Sequence, residues 1–371
     1  MIDMQDLSDI PQTPALVIDE AILTRNFSKL ADYAAKHNIG IRPHTKTHKS
    51  VELARRQVEL GAIGLTCAKV GEAEQMQAAH NDLLIAYPAI DAARTGRIAN
   101  LAKNNTVHVA IDSVEGVDAL AAVARQNSVT IGILVDLDIG MHRTGVQSPE
   151  AAKALAVHVS RTRGVRLDGL FCYPGHVWDP VDQQAKPLAT IAMLLDETID
   201  LCAKDGLALP IVSAGSTPTA YQSHLMKAVT EIRPGTYVFN DMNTVAAGFC
   251  TLADCAATIV VTVVSTAVPG QVIVDAGSKT LAMDRCIPSP ESGYGHVIGL
   301  PGAKITKLSE EHGTIDLSAF TGDREPKLGD RLAIIPNHIC PCVNLQDSAQ
   351  LRSMETGSLR PLKIDTRGKL S

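Results

Sequence analysis

Arg42, His44, Lys46 and His48 alternate through the segment Ile41-Arg42-Pro43-His44-Thr45-Lys46-Thr47-His48-Lys49-Ser50. Alternate residues of a strand share a face, so this spacing gathers four basic side chains. A lysine that is partly desolvated among other cations has its ammonium form disfavoured, and its amine becomes a usable nucleophile. The same residues also suit an exposed basic edge strand, whose charges keep other strands away. The rest of the chain has to decide between the two.

Further groups of this kind follow other apolar runs. Asp136-Leu137-Asp138-Ile139-Gly140-Met141-His142-Arg143-Thr144-Gly145 supplies His142 and Arg143, and Cys172-Tyr173-Pro174-Gly175-His176 supplies a phenol and an imidazole. Ser213-Ala214-Gly215-Ser216-Thr217-Pro218-Thr219 and Arg233-Pro234-Gly235-Thr236-Tyr237 are rich in small and hydroxylic residues. Ahead of a helix start, such residues let backbone N–H groups approach an anion. They also make ordinary caps and turns. A lysine at one end of a site and a phosphate cup at the other describe a pyridoxal phosphate site. The candidate catalytic residues are Lys46, His44, Arg143, Tyr173 and His176. The candidate cofactor-binding residues are Lys46, Ser213, Gly215, Ser216, Thr217, Arg233, Gly235, Thr236 and Tyr237.

A third constellation is Pro336-Asn337-His338-Ile339-Cys340-Pro341-Cys342. In an extended segment His338 and Cys340 face the same way and can grip one ion. Cys342 has the same spacing, but Pro341 disturbs the path to it. So few protein ligands leave open positions, as in a catalytic rather than a structural metal centre. Imidazole with thiolate favours zinc, with manganese or cobalt also open. A buried thiol beside a satisfied histidine is the plainer alternative.

These groups need elements to hold them. Strand-like runs at 39–46, 64–69, 83–88, 107–112, 130–138, 167–173, 211–214 and 229–233 alternate with helical patterns at 51–60, 71–80, 90–103, 113–125, 149–163 and 187–206. That count is the one for a closed (β/α)8 TIM-type barrel, whose functional groups sit at the C-terminal ends of the strands. A phosphate site in the loops after strands seven and eight is a recurring feature of such barrels. A doubly wound sheet would show GxGxxG after an early strand, and none is there. Gly277-Ser278-Lys279-Thr280 lacks the spacing of a phosphate loop for nucleotides. After about residue 250 the chain turns valine- and isoleucine-rich with few helical patterns. The expected division is a barrel over 20–250 and a β-domain formed by 251–371 with 1–19, the strand at 15–19 joining it.

The 371 residues are 45% hydrophobic and 20% charged, as in an ordinary globular protein. A net charge of -6 and only 3% aromatic residues argue against a nucleic-acid partner. The first ten residues carry no apolar signal core, and no run is long enough to span a membrane. The eight cysteines are expected to be reduced, and the compartment cytoplasmic.

At these residues the chain resembles the D-threonine aldolase and D-serine dehydratase family of fold-type III pyridoxal phosphate enzymes. The likeness runs from Thr13-Pro14-Ala15 to the C-terminal metal segment. It is carried by 42–49, 172–176, Glu310-Glu311-His312-Gly313 and Asn337-His338-Ile339-Cys340-Pro341. The resemblance implies an alanine-racemase-like barrel with a β-domain, a homodimer, and small D-amino acid substrates bearing a β-hydroxyl. It makes Lys46, and not Lys49, the lysine that joins pyridoxal phosphate. The placing of Lys46 beside Arg42, His44 and His48 makes those three the groups expected to tune it. It places Arg233 at the pyridine nitrogen. An arginine does not readily accept a proton, so the ring stays a weaker electron sink and a divalent metal shares the activation. Within the family, His-x-Cys goes with dehydratases and His-x-Asp with aldolases. The expected activity is therefore dehydration to a 2-keto acid and ammonia, with retro-aldol cleavage to glycine and an aldehyde as the alternative. A racemase, with Tyr294 or His176 as second base, would leave the metal pair idle. A non-catalytic pyridoxal phosphate carrier would not need the C-terminal domain.

Overall fold

The structure is a computed structural model that describes residues 7–371. It divides into two compact units. One contains 28–46, 51–235 and 368–371; the other contains the described residues up to 27, with 47–50 and 236–367.

In chain order the first elements are β1 (Ala15–Asp19), α1 (Glu20–His37), β2 (Gly40–Ile41), α2 (Val51–Glu59), β3 (Leu65–Cys67) and α3 (Val70–Met76). They continue as β4 (Asp82–Ile85), α4 (Ala92–Leu101), β5 (Thr106–Ile111), α5 (Val114–Asn127), β6 (Ile131–Asp136) and α6 (Pro149–Arg161). Then come β7 (Val165–Phe171), α7 (Ala185–Lys204), β8 (Ile211–Ala214) and β9 (Glu231–Ile232). The strands β2 to β9 pair in parallel in the order β2-β9-β8-β7-β6-β5-β4-β3. Closure comes from beyond the end of β2, where His44 bridges Thr66 and Thr45 N–H donates to Thr66 O at 2.9 Å. The TIM-type barrel read from the sequence is therefore present.

Local chemistry explains these elements. Apart from His108 and Asp136, the buried runs of β5 and β6 are apolar, as strands covered on both faces mostly are. Ser113 and Ser148 cap α5 and α6 by accepting the N–H groups of Gly116 and Ala151, and Pro149 opens α6. The segment after β8 holds a 3-10 turn, Ala220–Leu225.

Inside the sheet the side chains form layers. Leu84, Ala110, Leu134 and Phe171 make an apolar cluster. A charged layer lies apart from it. Arg42 binds Glu231 at 3.0 Å and Asp82 at 2.5 Å, and His108 joins Asp82 at 3.3 Å to Asp168 at 2.6 Å. Two glycines make room for this layer. A Cβ at Gly64 would strike the Arg42 guanidinium, and one at Gly132 would strike the Asp168 carboxylate and the His108 ring.

The other unit adds α8 (Met242–Ala246), β10 (Ala257–Ser265), β11 (Gln271–Val274), α9 (Ser278–Leu281), β12 (His296–Val297) and β13 (Lys304–Leu308). It ends with β14 (Gly313–Asp316), β15 (Arg331–Ile335), α10 (Ile339–Asn344), β16 (Ser348–Arg352) and β17 (Leu359–Lys363). Its sheet runs β13-β14-β11-β10-β1-β16-β17, with β15 on β10 and β12 on β15. β1 thus lies inside the sheet, antiparallel to β10 and parallel to β16. Its core includes Val17, Val260, Ala333 and Ile335. Residues 1–6, which the sequence reading joins to this β-domain, lie outside the described residues.

Candidate active site

A cavity of about 470 Å³ opens in the barrel unit, lined by His44, Lys46, Asp136, Arg143, Tyr173 and Arg233 among others. They come from the C-terminal ends of four strands or the loops after them, as the barrel geometry requires. Lys46 and His44 follow β2, Asp136 ends β6, Tyr173 follows β7, and Arg233 follows β9.

The basic segment does not behave as one strand. β2 ends at Ile41, and 45–48 form turns. The expected common face of Arg42, His44, Lys46 and His48 is therefore corrected. His44 and Lys46 line the cavity. Arg42 belongs to the charged layer. His48 is buried and its Nδ1 accepts the Ser50 N–H at 3.1 Å. Lys49 is buried too, its Nζ 3.5 Å from Thr366 O.

Arg233 is 4% exposed, packed with its guanidinium carbon 3.8 Å from the Phe171 ring centroid. It donates to Ser213 Oγ and to Cys172 O, each at 2.6 Å. Burial pulls its pKa down to about 10. Arg143 is exposed and lies 4.9 Å over the Tyr173 ring. His142 is turned outward against Asp138 at 2.8 Å. His176 is exposed, close to Gly140, and is not among the cavity residues, unlike its neighbour Tyr173.

The sequence reading missed Asp136, Lys69 and Tyr87 in the cavity wall. Asp136 is buried, and burial followed by the nearby Asp112 raises its pKa to about 6. Its signal was a carboxylate ending the otherwise apolar run of β6. Lys69 Nζ sits 3.3 Å over the Tyr87 ring, a pairing that no spacing in the sequence marks.

After β8, Gly215 takes φ +82°, a conformation side chains resist. Ser216 N–H donates to Thr219 Oγ1 at 3.2 Å, tying the turn. Thr217 and Gly235 lie in the same two loops of the barrel unit. In the other unit Thr236 and Tyr237 open a 3-10 turn, with Tyr237 buried 6.3 Å from the Phe27 ring. The barrel residues fit pyridoxal phosphate chemically. The cavity has the size of a small-molecule site and presents an amine, a buried guanidinium and an aromatic face.

The metal candidates are arranged differently from the extended segment expected. His338 is the N-cap of α10 and Cys340 lies in its first turn, their side chains hydrogen bonded. Burial acts against the His338 imidazolium, but the Cys340 bond and the nearby carboxylates raise its pKa to about 9. Cys340 Sγ is 3.2 Å from Thr47 Oγ1, and His338 Nδ1 is 3.6 Å from Asp284. Cys342 donates instead to Leu281 O at 3.1 Å and His338 O at 3.3 Å, and burial holds its thiol well above the usual range. No cluster of three or more acidic, histidine or cysteine ligands occurs among the described residues. The imidazole and thiol in contact fit an open two-ligand metal centre. None of the eight cysteines forms a disulfide among the described residues.

A parallel barrel with a mixed sheet unit and a lysine in the barrel's cavity define an alanine-racemase-like enzyme. The alanine racemase N-terminal domain model matches residues 18–242, and a putative serine dehydratase domain model matches 256–351. The chain is 33% identical to D-threo-3-hydroxyaspartate dehydratase of Delftia, covering 91% of this chain and 93% of that one. It is 32% identical to 3-hydroxy-D-aspartate aldolase of Paracoccus denitrificans, over 92% and 88%. Among solved structures, D-threonine aldolase from Filomicrobium marinum superposes with a TM-score of 0.89 at 29% identity, covering 97% of each chain. The chain belongs to the D-threonine aldolase and D-serine dehydratase family of fold-type III pyridoxal phosphate enzymes, and it is a lyase. No helix among the described residues is long and apolar enough to cross a membrane.

Proposed function

We propose that the protein is a pyridoxal phosphate- and divalent-metal-dependent dehydratase of β-hydroxy-D-amino acids of the D-serine, D-threonine or 3-hydroxyaspartate type, releasing a 2-keto acid and ammonia. The observation that carries it is the meeting of Lys46 and Arg233 in one cavity of about 470 Å³. Pyridoxal phosphate, when bound, supplies the electron sink that loosens bonds at the substrate α-carbon. Lys46 Nζ would hold the cofactor and then take the α-proton. Arg233 would donate to the ring nitrogen without yielding a proton, since a guanidinium stays charged. Arg143, braced on Tyr173, is a fixed cation for the substrate carboxylate. His44 and Tyr173 complete the wall. The loops holding Gly215, Ser216, Thr217, Gly235, Thr236 and Tyr237 would take the phosphate, while Ser213, at the end of β8, would act at the ring through its bond to Arg233. His338 and Cys340 would hold the metal, zinc being favoured over manganese or cobalt, and give Lewis-acid help to the hydroxyl. A cysteine-to-alanine variant of a D-threo-3-hydroxyaspartate dehydratase has been solved in a metal-free form, which supports metal use in this group. A homodimer in the cytoplasm belongs to the same reading.

Retro-aldol cleavage is the second reading, favoured by relatives named aldolases at 30–32% identity beside a dehydratase at 33%. Product analysis after incubation with D-serine, D-threonine and D-threo-3-hydroxyaspartate separates them. Keto acid with ammonia supports dehydration, glycine with aldehyde supports cleavage, and racemisation alone overturns both.

A further inference from the structure

Arg233 is a buried cation that touches only neutral acceptors, Ser213 Oγ and Cys172 O. No carboxylate forms an ion pair with it among the described residues. The anion reached through its hydrogen bonds is Glu231, one hydroxyl away. Ser213 Oγ donates to Glu231 Oε1 at 2.5 Å. A serine hydroxyl has one hydrogen. With that hydrogen committed to Glu231, the oxygen can only accept from Arg233. Glu231 therefore sets the direction of the bond that Arg233 makes. Glu231 itself is 2% exposed and clamped, both its oxygens taking Arg42 Nε at 3.0 Å.

We propose that Glu231, acting through Ser213, is a positioning residue for Arg233: it fixes the serine as an acceptor and holds the guanidinium charged and aimed at the cavity. This rests on the reading of the cavity as the pyridoxal phosphate site. A direct carboxylate pair would engage the guanidinium fork at both prongs. The serine spacer passes on the negative charge while spending one N–H on it, and Cys172 O takes a second. The remaining donors stay available to a bound acceptor. Burial lowers the Arg233 pKa, and the charges of Glu231 and Asp136 act against that shift.

Two variants cut the path at different points. Glu231→Gln removes the charge and lets an amide donate to Ser213, freeing the hydroxyl to turn. Ser213→Ala removes the spacer and leaves the Arg42–Glu231 pair in place. The readouts are the dissociation constant of pyridoxal phosphate from the apoprotein and the pH profile of the bound cofactor's visible absorbance, with melting of each apoprotein alongside. Each single variant should weaken binding about tenfold and shift the absorbance profile, and the double variant should be no weaker than the weaker single. Singles that bind and absorb as the parent does, or losses that add in the double variant, overturn the relay. If Glu231→Gln fails to fold, Ser213→Ala decides alone: a weakened binding with a shifted absorbance profile supports the relay, and behaviour like the parent's overturns it. Arg233→Leu checks the reading beneath. If it alters binding and absorbance while the other two do not, only the relay falls. If it changes nothing, or if the parent captures no pyridoxal phosphate, both fall.

Discussion

Arg42 Nε lies 3.0 Å from both carboxylate oxygens of Glu231, in the charged layer of the barrel. A residue that looks from the sequence like a neighbour tuning Lys46 is thus committed elsewhere. Arg42 is 3% exposed and also binds Asp82 at 2.5 Å, so its removal strands the buried Glu231 and the half-buried Asp82.

Arg42→Met should therefore lower unfolding stability by about 3–5 kcal/mol, the usual effect of breaking a buried pair from one side. Urea denaturation of the apoprotein measures it. A midpoint unchanged from the parent would sink the assignment.

The same layer has an acid limit. Burial works against the Asp82 carboxylate, but bonds from His108 and Arg42 hold its pKa down to about 2. A depressed carboxylate stabilises the fold above its unfolded pKa, and that help is lost as pH falls from near 4 towards 2. Asp82→Asn should flatten this part of the stability curve. An acid limb as steep as the parent's would contradict it.

Asp136 gives the opposite sign. Its pKa, raised to about 6 by burial and Asp112, means the folded state holds a proton that the unfolded chain releases near pH 4. Stability is thus lost as pH rises from about 4 to about 6, by on the order of 2–3 kcal/mol. Asp136→Asn should remove the decline and raise the apoprotein melting temperature at pH 7. Identical melting profiles for variant and parent would refute this.

Lys46 and Lys49 divide cleanly. Lys46→Ala should abolish the visible absorbance acquired on adding pyridoxal phosphate, along with the mass gain after borohydride reduction. Lys49→Ala should keep both while melting earlier, because Lys49 is buried against Thr366. A reversed outcome would move the cofactor to the other lysine.

At the metal pair, EDTA should remove activity and zinc or manganese restore it. His338→Ala and Cys340→Ala should lose bound metal by elemental analysis. Cys342→Ala should keep it, since its thiol is spent on Leu281 O and His338 O. Metal loss in the Cys342 variant alone would reverse the ligand assignment.

The barrel was legible because its strands are apolar runs punctuated by helical periods, and because groups with chemistry recur where such runs end. Lys46, Arg143, Tyr173 and Arg233 could be singled out on that basis, and they share one cavity. The charged layer was not legible. Asp82, His108 and Asp168 stand far apart in sequence and meet only when the sheet curls, so no local spacing announces them. Gly64 and Gly132 likewise look like ordinary strand glycines until the side chains they admit are seen. The His338–Cys340 contact was expected from strand alternation, but a helix start delivers it instead. Either geometry can bring residues two apart together, so the pairing survived a wrong account of its backbone.

The place of β1 governs the order in which the chain can finish folding. Residues 15–19 are made before their partners, which are 257–260 and 350–352. The first strand must therefore wait through the synthesis of the whole barrel before it has an edge to join, and its second edge arrives about ninety residues later still. Pairing at such sequence separation is slow, and an unpaired apolar strand is exposed to wrong partners meanwhile. In the barrel most strands pair with neighbours in sequence, and only the closing pair of β2 with β9 has to wait in this way. The β-sheet unit is thus the part of this protein most dependent on uninterrupted synthesis.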